Sequence, residues 1–254
     1  MSLKSEQVAI IIPARYASTR FPGKPLCSIN GTTMIEHVYK RAQKSKLASS
    51  VIVATDDERI ARAVEAFDGK YIMTRSDHAT GTDRLAEVAM KMPEIEVIVN
   101  VQGDEPLIDP ANIDKAIEPI MSDANVKMST LAYEMTQEQE MQSPQIVKVV
   151  LDNDGFALYF SRAAIPFYRD NTDDSVTRLG HTGLYVYRRQ CLLDIAKMPV
   201  AKLEQAEQLE QLRALQNGIK IKVVVAKRAA PAVDLPGDVL KIEKIMSELG
   251  AVSK

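Results

Sequence analysis

Short apolar runs alternate with amphipathic stretches through the first 120 or so residues, and this alternation restricts the chain to a layered α/β fold around a largely parallel sheet. Strands are expected at Val8 to Ile12, Val51 to Ala54, Lys70 to Met73, Val97 to Val101, Met128 to Tyr133, Val147 to Leu151, Leu184 to Tyr187 and Ile221 to Val225. The run at Val8 is apolar throughout and that at Val97 is broken only by Asn100, as suits strands buried on both faces. Between them, Met34 to Lys44, Asp57 to Phe67 and Thr82 to Met90 repeat apolar residues at helical spacing, with Asp56 or Asp57 and Thr82 as N-caps. After residue 125 the pattern loosens. Pro144, Pro166 and the polar stretch Arg169 to Thr177 suggest an antiparallel extension before a helix from about Lys202 to Asn217. There is no internal repeat and no low-complexity linker, so 1–254 reads as a single domain with halves 1–125 and 126–254.

The first apolar run, ended by Pro13, empties into Ala14-Arg15-Tyr16-Ala17-Ser18-Thr19-Arg20-Phe21-Pro22-Gly23-Lys24-Pro25-Leu26. Ligands of open α/β sheets bind at the carboxyl ends of strands, and there Arg15, Arg20 and Lys24 can neutralise polyphosphate oxygens. Two better-known phosphate loops do not fit. Ser18 stands where the first Gly of a Walker A loop should be and Pro25 follows Lys24, while no Gly-x-Gly-x-x-Gly follows any strand. A basic surface loop is the plain alternative.

Acids number 34 against 32 Lys plus Arg, a net charge of −2, so no global field draws the chain to nucleic acid or an anionic membrane. Cys27 and Cys191 are too few for a disulfide framework or a thiolate zinc site. No apolar stretch approaches the roughly 20 residues of a membrane helix and the N-terminus lacks signal character, which together predict a cytoplasmic protein.

Two further segments carry chemistry. Val97 to Val101 leads into Gln102-Gly103-Asp104-Glu105-Pro106, and a carboxylate facing a cationic loop suits Mg²⁺, which takes one or two carboxylates plus phosphate oxygens. Asp104 is otherwise a turn residue capping the next helix. Asp234, far along the chain, can supply a second carboxylate or be a cap itself. Thr74-Arg75-Ser76-Asp77-His78-Ala79-Thr80-Gly81-Thr82-Asp83-Arg84 opens a helix; Gly81 allows close backbone approach, and the hydroxyls and Arg75 can address a ribose or base edge. His78 has no evident acidic partner and reads as structural, and Asp83 and Arg84 as ordinary first-turn residues.

Taken in order, these motifs resemble the CMP-Kdo synthetases, the 3-deoxy-manno-octulosonate cytidylyltransferase family, over almost the whole chain. Val147 to Val150, Ala157 to Arg162 with Ile165-Pro166, and Leu209 to Arg213 carry the likeness further. The resemblance implies an α/β three-layer nucleotidyltransferase with a mostly parallel central sheet and a β-rich arm for sugar binding and dimer contacts. It implies that Arg15, Arg20 and Lys24 hold CTP phosphates, that Asp104 and Asp234 hold Mg²⁺, and that Ala14, Arg75, Ser76, Gly81, Thr82 and Gln102 surround the nucleotide. Arg162, His181, Thr182, Tyr185, Glu207, Glu210 and Gln211 would meet the acidic sugar, Arg162 as a fork for its carboxylate. Arg162 is alternatively a surface ion-pair partner, and His181 is equally a packed strand residue. Glu204, Glu207, Gln208 and Gln211 fall on one face of a continuous helix, lining a pocket or simply solvated.

The implied reaction is attack by the anomeric hydroxyl of a 3-deoxy-octulosonic acid on the α-phosphorus of CTP, releasing pyrophosphate, in a cytoplasmic homodimer serving lipopolysaccharide synthesis. Arg15, Lys24, Asp104 and Asp234 would be its catalytic groups. The chain departs from the family pattern at Gly180-His181-Thr182-Gly183, at Glu204-Gln205-Ala206-Glu207 and at Asp234-Leu235-Pro236-Gly237-Asp238. Such pocket changes redirect specificity among hydroxylated sugars, here toward a modified Kdo such as the 8-amino-3,8-dideoxy form. A sialic-type nonulosonate as substrate, or a non-catalytic nucleotide-binding regulator, are the alternatives.

Overall fold

The computed structural model describes residues 7–17, 20–78, 80–169 and 177–252. Ser18 and Thr19 of the cationic loop, Ala79 of the third motif and positions 170–176 of the polar stretch lie outside the described residues. The described chain divides into two compact units, one of residues 7–114 and 229–252, the other of residues 115–228.

The first unit begins with β1 (Val8–Ala14), then a two-strand hairpin of β2 (Ser28–Ile29) and β3 (Thr32–Thr33), followed by α1 (Met34–Ala42), β4 (Ser50–Thr55), α2 (Glu58–Glu65), β5 (Tyr71–Met73), α3 (Gly81–Lys91), β6 (Val97–Asn100) and the start of α4 (Pro110–Ser122). Its sheet is parallel in the order β6-β1-β4-β5, with Ile10 opposite both Val51 and Val99. Val8 to Ile12 are essentially inaccessible to solvent, as the unbroken apolar run requires. Pro13 does not end β1, which runs on to Ala14: a proline φ suits extended backbone, and only one ladder donor is lost. α1 buries Met34, Ile35, Val38, Tyr39 and Ala42 on one stripe. Asp57 caps α2 as expected, its side chain accepting the Arg59 amide. The cap of α3 is Thr80 rather than Thr82; Thr80 and Asp83 form a reciprocal capping box, so Asp83 is more than an ordinary first-turn residue.

The second unit contains β7 (Met128–Glu134), α5 (Glu138–Gln142), β8 (Lys148–Leu151), β9 (Ala157–Ser161), β10 (Leu179–Arg188), α6 (Arg189–Lys197), α7 (Lys202–Glu207), α8 (Gln211–Gln216) and β11 (Ile221–Val225). β11 runs parallel to β7, while β10 is antiparallel to β7 and to β8, and β8 is antiparallel to β9. The expected helix from Lys202 to Asn217 is two short helices. Gln208 adopts the left-handed conformation (φ 54°, ψ 49°) between them, so Glu204, Glu207, Gln208 and Gln211 do not share one continuous face.

The chain then returns to the first unit. The Val233 amide donates to the Asp104 carbonyl at 2.9 Å, and Val233 and Ile242 of α9 (Asp238–Val252) pack with Ile29, Met34 and Leu107. Among the described residues, no helix is long and apolar enough to cross a membrane.

Candidate functional site

At the carboxyl ends of β1 and β6 the first unit opens a pocket of about 230 Å³, lined by Ala14, Arg15, Lys24, Gly81, Gln102 and Asp104 among others. Two glycines shape it. Gly23 has φ +71° and lies against the Tyr16 ring, which turns the cationic loop back so that a single 3₁₀ turn presents Lys24. A Cβ on Gly103 would stand 2.9 Å from the Pro13 carbonyl oxygen, so only glycine lets the Asp104 loop lie against the end of β1. Arg59, held by Asp57, stacks on the other partner of this arrangement, its guanidinium carbon 3.3 Å from the Tyr16 ring centre.

Lys24 is the centre of charge. Its Nζ lies 2.7 Å from Asp104 Oδ2 and 3.8 Å from Asp234 Oδ1, and donates to the Val233 carbonyl at 3.0 Å. Arg20 meets Asp234 Oδ1 at 3.1 Å. The Lys24 and Asp104 side chains are only 16% and 29% exposed, against 66% and 48% for Arg20 and Asp234, so the first contact is the electrostatically significant one. Asp104 does not cap a helix; α4 begins only at Pro110. The two acids thus converge on one cation, which is the donor set a hard divalent ion wants when substrate oxygens complete its shell. No cluster of three or more protein ligands exists among the described residues. Beside Asp104, burial and the neighbouring Asp104 charge push the Glu105 carboxyl up to about 7.

Arg15 reaches across to the third motif, donating to the carbonyls of His78 (2.7 Å) and Thr80 (3.2 Å). This places Gly81 beside the pocket, with Thr82 buried next to it. Arg75 pairs with Asp77 on the surface, and Ser76 sits on the exposed bend between them. His78 does have an acid partner. Its Nε2 lies 2.5 Å from Glu87 Oε2, and Glu87 also takes the Arg75 amide and Lys91.

In the second unit, Glu207 accepts from the Ser161 hydroxyl (2.6 Å) and the Arg162 amide (2.9 Å). Arg162 donates Nε to the Glu207 carbonyl, one Nη to Pro144 and the other to Gln208, leaving two of its five N–H groups for a carboxylate. It makes no ion pair among the described residues. His181, Tyr185 and Tyr187 stack in series along β10, with Phe160 edge-on to His181 at 5.0 Å. Burial pushes the His181 pKa down to about 3, and pushes the Tyr185 hydroxyl well up, with Tyr187 and the exposed Glu210 adding to the latter. Thr182 and Gln211 are buried.

A family model described as cytidylyltransferase matches residues 9–221. The 3-deoxy-manno-octulosonate cytidylyltransferase of Geobacter sulfurreducens is 52% identical over 95% of this chain and 99% of its own length. The chain belongs to the 3-deoxy-manno-octulosonate cytidylyltransferase family. The Myxococcus xanthus member is 51% identical over 98% of this chain and the whole of its own length. Among solved structures, a CMP:2-keto-3-deoxy-manno-octonic acid synthetase complexed with CTP superposes with a TM-score of 0.91 at 42% identity, covering 96% of this chain and 99% of that one. A 4-diphosphocytidyl-2C-methyl-D-erythritol synthase from Anaerococcus prevotii, 14% identical with a TM-score of 0.64, shares the fold, covering 96% of this chain and 97% of its own. This family member is therefore an enzyme of the nucleotidyltransferase class with a mixed α/β fold around a mostly parallel sheet.

Several residues around these sites escape sequence reading. Arg84 is fully buried, donating to Thr74 Oγ1 and lying 3.3 Å from Asp56, so it is no ordinary first-turn residue. Lys148, also fully buried, gives its three N–H groups to the carbonyls of Ser143, Ile146 and Arg162 at 2.5–2.8 Å. Both are charged residues whose partners are distant in sequence or on the backbone. Asp238 did carry a signal: an acid opening an apolar-periodic stretch. It accepts the amides of Asp234 and Leu235 and so holds Asp234 in place.

Proposed function

We propose that the enzyme transfers CMP from CTP to the anomeric hydroxyl of a 3-deoxy-octulosonic acid, with release of pyrophosphate. The observation that carries this reading is the convergence of Asp104 and Asp234 on Lys24 beside the Arg15 pocket, in a chain so similar to a CTP-complexed synthetase. Arg15, Arg20 and Lys24 bind and orient the triphosphate, and their charge offsets that accumulating on the departing pyrophosphate. Ala14, Arg75, Ser76, Gly81, Thr82 and Gln102 surround the nucleoside. Asp104 and Asp234 would hold Mg²⁺, which when bound neutralises phosphate charge. Lys24 would then exchange its carboxylate contacts for phosphate oxygens.

Arg162, His181, Thr182, Tyr185, Glu207, Glu210 and Gln211 receive the acidic sugar. Glu207 acts through the Arg162 backbone it braces rather than by touching sugar with a free carboxylate. The finer reading is that the preferred octulosonate carries an amine in place of its terminal hydroxyl, supported by the departures around His181, Gln205 and Leu235. Cytoplasmic action as a homodimer feeding lipopolysaccharide synthesis completes the proposal.

Pyrophosphate release with CTP and Mg²⁺ against Kdo, its 8-amino analogue and a nonulosonate tests it, with Asp104→Asn as control. Release with an octulosonate, reduced at least ~100-fold by the mutation, is expected. The preferred octulosonate decides the amine reading. Preference for the nonulosonate would move the substrate class, and CTP binding without release for any sugar would make the protein a regulator.

A further inference from the structure

β10 is bulged between Thr182 and Tyr185 where it pairs with β7, and Thr130 of β7 stands opposite Tyr185. The buried Thr130 hydroxyl oxygen lies 2.7 Å from the Leu184 carbonyl, 3.2 Å from the Thr182 carbonyl and 2.9 Å from His181 Nε2. A hydroxyl has one hydrogen, and carbonyls only accept. That hydrogen is therefore committed to the bulge carbonyls, chiefly Leu184, and the oxygen faces Nε2 with a lone pair. Nε2 must carry the proton. A neutral imidazole has a single N–H, so Nδ1 is left as an acceptor, and it meets no donor among the described residues. Phe160 and Tyr185, with ring centres 5.0 and 5.3 Å from that of His181, restrict the ring's tilt.

We propose that Thr130 is a positioning residue for the sugar: its hydroxyl locks His181 in the Nε2–H tautomer, so that Nδ1 accepts a hydrogen bond from a donor group of the octulosonate. The assignment rests on the reading of His181 as a sugar contact, but the tautomer itself does not. Burial keeps the ring neutral across the physiological range, so the same nitrogen stays an acceptor. The β-bulge thereby has a function: it supplies the two carbonyls that take up the threonine proton.

The chain contains three histidines, His37, His78 and His181, so two-bond ¹⁵N–¹H correlation on histidine-labelled protein resolves each, with His181→Gln identifying the third. A protonated-type Nε2 and an unprotonated-type Nδ1 are expected for His181; a protonated Nδ1 overturns the proposal without any variant. Thr130→Val keeps the shape and loses the hydroxyl. It should average the two His181 nitrogens, raise the KM for the sugar about tenfold and leave the KM for CTP unchanged, and Thr130→Ser should restore both readouts. If Thr130→Val does not fold, the wild-type spectrum and Thr130→Ser, which must keep the Nε2–H form and the wild-type sugar KM, decide the matter. A locked tautomer whose loss leaves sugar KM unmoved overturns the positioning role. If His181→Gln also leaves it unmoved, it is the sugar-contact reading that has failed.

Discussion

Lys24 shows how one side chain organises opposite charges. Two carboxylates brought together without a cation would repel, and each would be raised in pKa or displaced. The ammonium between Asp104 and Asp234 offsets that repulsion and holds both acids beside the pocket that Lys24 and Asp104 line. Glu87 is a comparable case that can be titrated. Burial pushes its carboxyl up, but hydrogen bonds from Lys91, His78 and the Arg75 amide outweigh burial and bring it down to about 2. A carboxyl depressed in the folded state stabilises the fold fully above its unfolded pKa of roughly 4.3, and the contribution is lost as pH falls toward the folded value. The melting-temperature difference between wild type and Glu87→Gln should accordingly be constant from pH 7 to about 5 and shrink steadily toward pH 2; a difference that persists undiminished at pH 2 would show that Glu87 acts by packing alone. Arg15, Arg20, Lys24 and Asp104 could be singled out in the sequence because they lie in the loops that follow β1 and β6. Glu87, Lys148 and Thr130 were not: their partners are set by which backbone carbonyls and rings tertiary packing brings alongside.

At the level of elements, strands with unbroken apolar runs were readable nearly to the residue, since burial on both faces leaves no other composition. β9 was quoted as a motif yet not read as a strand, although Ala157 to Phe160 is a short apolar run of the same kind. The break between α7 and α8 was hidden for a different reason. Nothing in Glu204 to Gln211 forbids a helix; the left-handed turn at Gln208 persists because its surroundings hold it there. Glu204 is drawn into a buried pair with Arg213 at 2.5 Å, and Arg162 takes the Glu207 and Gln208 carbonyls. A non-glycine residue in that conformation carries a backbone cost of about 1 kcal/mol. Gln208→Gly should therefore stabilise the protein by ~0.5–1 kcal/mol in chemical denaturation, less whatever its side-chain bond to the Gln205 carbonyl contributes, and leave sugar KM unchanged because only backbone carbonyls are used. A destabilised variant would mean that the side chain, not the turn, is what holds the two helices.

For the molecule as a whole, the decisive arrangement brings residues 130 positions apart, Asp104 and Asp234, onto the same Lys24, and no local pattern announces it. What makes it possible is the return of the chain: Val233 docks its amide on Asp104, Ile242 enters the core around Met34, and Asp238 fixes the Asp234 backbone. Binding that uses both acids should consequently be felt by the entire first unit. A ligand held only by the folded state stabilises it by about 2.7 kcal/mol at a hundredfold excess over its Kd. CTP with Mg²⁺ should raise the melting temperature by several degrees more than CTP with EDTA. That increment should vanish in Asp234→Asn as completely as in Asp104→Asn, since each acid supplies one half of the carboxylate pair that would hold the ion. If Asp234→Asn keeps the Mg²⁺-dependent increment while Asp104→Asn loses it, the returning segment serves to brace the pocket, and the metal is held by one acid and the nucleotide alone.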